Sequence, residues 1–154
     1  MARTKKLPYR EGTWFAVPLR SEGYALGVVA RLDGGGTIFG YFFGPQHESV
    51  PTQEVTKNLR PDDAVYSCQF GDLGLIEKSW FIIGESAEWC REAWPLPPFI
   101  RADIDDGIAW KVVYSDDNLE LVSEERCDLA LAEIYPKDSL AGSGFVELRL
   151  TRKL

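Results

Sequence analysis

The 154 residues include one histidine, one methionine and three cysteines. His47 lies in the loop Gly44-Pro45-Gln46-His47-Glu48 with no cysteine near it in sequence. One histidine cannot build a metal cluster without the cysteines, so no metal is expected. A lone loop histidine reads as a surface residue more readily than as a catalytic base. Cys68, Cys90 and Cys127 are an odd number without C-x-x-C spacing, which excludes a disulfide framework and fits reduced thiols in a cytoplasmic protein. No apolar run approaches the ~20 residues that a membrane helix requires, so no membrane association is expected. The basic residues at the start lack an apolar stretch behind them, so they do not read as a secretory signal. Gly34-Gly35-Gly36 lacks the Gly-Lys-Ser/Thr of a phosphate loop, and no G-x-G-x-x-G opens a helix; the triple glycine is a turn.

What is present is ordinary in bulk and uneven in detail. Hydrophobic residues make up 45% and charged residues 27%, the balance of a folded globular chain and not of a disordered one. Residues 1–10 carry Arg3, Lys5, Lys6 and Arg10 with no acid and read as a flexible basic arm, followed by a single domain over 11–154. Segment 85–128 holds twelve acids against Arg91, Arg101, Lys111 and Arg126. Such a body repels nucleic acid and attracts a basic partner. Solubility alone accounts for an acidic surface equally well.

Apolar patterning points to strands. Residues 12–19 and 23–32 are apolar runs, with Pro18 near a strand end and Gly27 marking a bulge or a close backbone approach. Asp33-Gly34-Gly35-Gly36 supplies a hairpin turn into 37–43, completing a three-strand meander. Segment 44–64 reads as a long loop with room for one helical turn. Residues 65–70 and 79–84 are strand candidates on either side of a turn at 71–74. Trp94-Pro95-Leu96-Pro97-Pro98 is a stiff extended link anchored by its tryptophan. Residues 99–104, 109–115 and 119–123 form a second meander, with turns at Asp105-Asp106-Gly107 and Asp116-Asp117-Asn118. In the tail, 146–150 alternates as a strand would. Val146, Leu150 and Leu154 also fall at i, i+4, i+8 behind a candidate cap at Ser143, and the helical reading is preferred. The fold class is therefore mostly β (α+β): an antiparallel twisted sheet or partly open barrel of two meanders, with one or two short helices, one C-terminal.

The paired aspartates could in principle do acid–base work, but both pairs sit where Asp caps a turn. Asp103-Ile104-Asp105-Asp106-Gly107 resembles a calcium loop only in composition, since the twelfth position is Tyr114 and not Glu. Trp14, Trp80 and Trp94 lie in apolar strands or beside prolines and read as core. Trp89, inside Glu85-Ser86-Ala87-Glu88-Trp89-Cys90-Arg91-Glu92, fits an exposed anchor ringed by charge as well as it fits a core position.

A series of short signals follows one order: Gly12-Thr13-Trp14-Phe15-Ala16-Val17-Pro18-Leu19, Gly27, Phe70-Gly71-Asp72-Leu73-Gly74-Leu75, Trp80-Phe81-Ile82-Ile83-Gly84, Trp94-Pro95-Leu96-Pro97, Phe99 and Gly142-Ser143-Gly144-Phe145-Val146-Glu147. That order resembles the immunity protein 26 family of bacterial polymorphic-toxin systems. The likeness runs from about residue 10 to 154. One departure is Lys78-Ser79, where the family pattern carries a glycine just before the tryptophan. The resemblance implies a mostly-β cytoplasmic protein that binds and neutralises a cognate protein toxin, with no enzyme activity and no cofactor. An acidic inhibitor would suit a toxin with a basic cleft. The partner surface is then expected on Glu85, Glu88, Trp89, Asp105, Asp106, Asp116 and Asp117. Two other classes fit the residues: a small-ligand or carbohydrate-binding β protein whose aromatics line a pocket, and a hydrolase using an acidic pair.

Overall fold

The computed structural model describes residues 6–154. Strands β1 (Thr13–Pro18), β2 (Tyr24–Leu32) and β3 (Thr37–His47) form the expected antiparallel meander, and Gly34 and Gly36 supply positive φ at its Asp33 turn. β4 (Tyr66–Gly71) pairs with β3, and a four-residue helix, α1 (Leu73–Ile76), follows in place of a simple turn. β5 (Phe81–Glu85) then pairs with β1 at the far side. β6 (Phe99–Asp103), β7 (Ile108–Tyr114) and β8 (Leu121–Cys127) build a separate antiparallel sheet. Last come β9 (Leu140–Ala141), parallel to β4, and α2 (Ser143–Lys153). The described residues thus form a six-stranded mixed sheet, β5-β1-β2-β3-β4-β9, and a three-stranded sheet, β6-β7-β8. The fold is mostly β with a C-terminal helix. Parallel β9 makes the large sheet mixed where an antiparallel one was expected, and the sheet does not close into a barrel.

Both faces of the central strands β1, β2 and β3 are largely buried, which explains why they read as continuous apolar runs. Side chains alternate along β1, so Phe15 and Val17 join one cluster with Phe42, Phe70 and Trp80. Val146 and Leu150 of α2 seal that face, as the i, i+4 spacing predicted. Trp14 points the other way, into a cluster with Phe39, Tyr41, Phe43, Trp94 and Phe99 beneath the small sheet. Trp14, Trp80 and Trp94 are all buried, as read from their surroundings. Cys68 is buried too, and burial pushes its thiol up to about 12, so it stays protonated and inert.

Several boundaries shift for local reasons. β3 runs to His47, and the rest of the expected loop holds two short 3-10 turns, Gln53–Thr56 and Pro61–Asp63. β8 lies at 121–127 where 119–123 was expected. Leu119 takes φ 57, and the charged run Ser123–Cys127 is held by pairing with β7 despite poor strand propensity. α2 is capped by Gly142, not Ser143. Gly27 is a close approach and not a bulge: a Cβ there would lie 2.6 Å from the Phe15 ring, and the register shifts fall at Tyr24/Leu26 and Val29/Arg31 instead. Of the expected basic arm over 1–10, residues 1–5 lie outside the described residues. Leu7 and Tyr9 pack on the core, and the Tyr9 hydroxyl donates to Asp72 at 2.8 Å.

Lys78 sits just past α1 with φ 63, the left-handed conformation that favours glycine. Lys78→Gly is expected to raise stability by about 0.5–1 kcal/mol, because the left-handed penalty of a side chain outweighs glycine's extra unfolded-state entropy. Denaturant melts measure it, and an unchanged or lowered midpoint would contradict that balance.

Candidate partner-binding site

The site grows from the end of β5. There Ser86 N–H donates to the Gly12 carbonyl at 2.9 Å, and the Trp14 indole donates to Ser86 Oγ at 2.7 Å. These bonds pin a loop, residues 86–94, across the rim of the large sheet. Trp89 on this loop is half-buried: its ring stacks on Trp94 at 5.7 Å and 15°, and its Nε1 donates to Glu11 at 3.3 Å. Gly12 lies beneath it at φ +89, where a Cβ would come within 3.1 Å of the indole. The glycine of the Gly12-Thr13-Trp14 signal is needed to seat Trp89. Trp14, Trp89 and Trp94 then line a groove of about 330 Å³ with Glu88, Lys57 and Leu59. A second hollow of about 570 Å³ shares Leu59 and Trp94 and adds Arg60, Asp62 and Glu92.

Beside the groove lies a charge network. Arg91 grips Glu11 with two bonds, Nε to Oε1 at 3.0 Å and Nη2 to Oε2 at 2.8 Å, and reaches Asp117 at 3.3 Å and the Asp116 carbonyl at 2.6 Å. The Glu11 carboxylate holds the Arg91 guanidinium above its ordinary range. Arg31, buried in β2, bonds Asp116 Oδ1 at 3.0 Å and the carbonyls of Ala30, Trp94 and Arg91 at 2.6, 3.0 and 3.2 Å. Two guanidinium groups therefore tie the β7–β8 turn to the tryptophan loop.

The expected partner residues do not form one patch. Glu88, Trp89, Asp116 and Asp117 gather around this network, and Glu85 stands next to them at the end of β5, ion-paired with Arg10. Asp105 and Asp106 occupy the β6–β7 turn, at the opposite end of β7. Seven strand residues put that turn about 20 Å from Asp116. Side-chain exposure differs as well: Asp117 is 87% exposed, while Asp116 at 61% is tethered to Arg31.

Sequence reading passed over Glu11, Arg31, Arg91, Lys57 and Leu59. Arg31 alone left a signal, since a cation between Ala30 and Leu32 in an apolar strand demands buried partners. Among the described residues no group of three or more His, Cys, Asp or Glu side chains is placed to hold a metal ion. Nor does any helix among them have the length and apolarity to cross a membrane.

The family model of immunity protein 26 matches residues 10–117. That span takes in β1 to β7, the tryptophan loop and both aspartate turns, and it ends ahead of β8 and α2. The Gly142-Ser143-Gly144-Phe145-Val146-Glu147 signal lies outside it. No curated protein and no solved structure matches the chain. The match covers well over half of the sequence and all the residues of the network around Arg31, and the chain belongs to the immunity protein 26 family.

Proposed function

We propose that this protein binds and neutralises a cognate protein toxin, using the tryptophan loop and the β7–β8 turn as its central contact. The observation that supports this most is the stacked Trp89–Trp94 pair lining a groove beside exposed carboxylates, in a member of an immunity family. Rigid aromatics beside a hollow are the usual anchors of a protein interface. The surrounding guanidinium groups are already engaged: Arg31 and Arg91 face Glu11, Asp116 and Asp117 in a network with one more carboxylate than cations. The charge offered outward is thus negative, which suits a basic toxin surface. Asp105 and Asp106 extend that field to the far end of β7 and act on encounter more than on the bound state. In this reading the protein works in the cytoplasm, where its three free thiols persist. It acts by occlusion, with no catalytic step and no cofactor.

The test is a binding time course with the toxin domain encoded beside it, at two ionic strengths. Trp89→Ala is expected to speed dissociation by a factor equivalent to about 2 kcal/mol. Charge reversal at Glu88 and Asp117 should slow association and flatten its salt dependence, and reversal at Asp105 and Asp106 should do so more weakly. Unchanged rates in all variants would move the interface elsewhere. Failure of the wild type to bind the toxin or protect cells expressing it would remove the reading.

A further inference from the structure

The face behind the sheet edge has the opposite character. A groove of about 710 Å³ runs between α2 and segment 132–139, with the Tyr66–Cys68 stretch of β4 along it. Phe145, Arg149 and Lys153 line it from α2, at the i, i+4, i+8 spacing of one helical face. Ile134 and Lys137 line it from the other side. In an acidic protein this is a cationic groove with one carboxylate, Glu133, among its lining residues. Among the described residues, Lys137, Arg149 and Lys153 form no ion pair. Arg149 and Lys153 instead sit over the Tyr66 ring, at 5.9 and 5.8 Å.

Two more observations fall in the same place. Ile134 is 70% exposed and Phe145 55%, unusual for large apolar side chains on both sides of one groove. The sheet edge is also unfinished here. β9 is two residues long and pairs only with Gln69 and Phe70, so among the described residues Tyr66–Cys68 has no strand beside it on that side.

We propose that this groove receives an extended acidic segment of a partner protein, which adds as a strand to β4 at Tyr66–Cys68. Its backbone would complete the open edge, its apolar side chains would seat on Phe145 and Ile134, and its carboxylates would meet Arg149, Lys153 and Lys137. The edge decides the class of partner: peptide amides can extend a strand ladder, whereas a sugar-phosphate backbone cannot. The net charge of −7 also disfavours a long polyanion, while a short acidic segment meets only the local cations. This surface differs in place and in sign from the one proposed for the toxin, so either can fail without the other.

Fluorescence anisotropy with labelled ten-residue peptides, alternating Glu with Val, Ile or Phe, tests the proposal. At least one should bind saturably in the micromolar range, and the matching Lys peptides should not. Arg149→Glu with Lys153→Glu should weaken binding by about tenfold or more, and Phe145→Ala by a few-fold. All three residues are exposed, so the melting temperature should hold; should the reversals lower it, Arg149→Gln with Lys153→Gln must show the same loss of binding. Hydrogen exchange should find the Ser67 amide, which faces away from β3, protected on saturation. No saturable binding, binding indifferent to the reversals, or preference for an oligouridylate would overturn the proposal. So would a self-dimer abolished by the reversals, which would put a second copy of the chain in the groove.

Discussion

Replacing Trp80 by alanine is expected to cost about 4 kcal/mol, the middle of the range for deleting a buried aromatic. The indole is 2% exposed and stacks on Phe15 at 5.6 Å and 9°, with Phe70 at 5.6 Å and Phe42 at 6.5 Å. Its Nε1 donates to Glu147 of α2 at 2.8 Å, so one side chain joins the sheet face to the helix that covers it. Trp80→Phe separates the contributions. It removes the indole bond and some volume but keeps a ring, and Glu147 retains Arg20 as partner at 3.1 Å, so about 1–2 kcal/mol is expected. Gly74 supplies the cross-check. A Cβ there would lie 2.7 Å from the indole, so Gly74→Ala should be costly in the wild type and nearly neutral in Trp80→Ala. Urea melts of the four proteins give the coupling. Additive losses, or a Trp80→Ala cost below about 1 kcal/mol, would show that the ring does not hold this face together.

That contact also shows how far the sequence could be read. The Gly71-Asp72-Leu73-Gly74 signal looks like a turn between two strands, and local pattern says nothing more. In the fold, β4 and β5 lie near opposite edges of the sheet, and the chain between them passes beneath it, with Trp80 on Gly74 along the way. Strand pairing is a long-range choice among similar apolar runs, so β5 could be recognised as a strand but not placed. The first meander was legible because the Asp33-Gly34-Gly35-Gly36 turn and the short apolar runs on either side of it are local signals. β8 was legible only in its apolar half. Its charged half is held by pairing with β7, and the contacts it makes there, Arg101 with Glu124 and Lys111 with Glu125, exist only once the register is set. The same limit applied to the site. Trp89 could be recognised as unusual from its charged neighbours, but its stacking on Trp94 and its bond to Glu11 depend on segments 5 and 78 residues away. The acidic excess of segment 85–128 was visible. Its division between the two ends of β7 follows from the hairpin geometry.

Arg31 gives the second large effect, and here the size of the loss identifies its cause. Arg31→Met keeps most of the volume and removes the guanidinium, whose side chain is 3% exposed. The carbonyls of Ala30 and Trp94 then lose this donor, and that of Arg91 loses it too but keeps the Trp94 N–H at 3.1 Å. An unsatisfied buried acceptor costs about 1–3 kcal/mol, and some of these recover water, so about 3 kcal/mol is expected in all. Breaking a fully buried ion pair would cost about 3–5 kcal/mol, but Asp116 is 61% exposed and rehydrates. Asp116→Asn should therefore cost under about 1 kcal/mol, as for an exposed pair. The wide gap between the two variants is the result that assigns Arg31 to satisfying carbonyls and not to ion pairing. Equal losses would reverse that assignment. Because the same guanidinium ties the β7–β8 turn to the tryptophan loop, Arg31→Met should also speed dissociation of a toxin bound there, though the side chain itself is buried. Full-strength binding by a destabilised Arg31→Met protein would show that the loop keeps its shape without it.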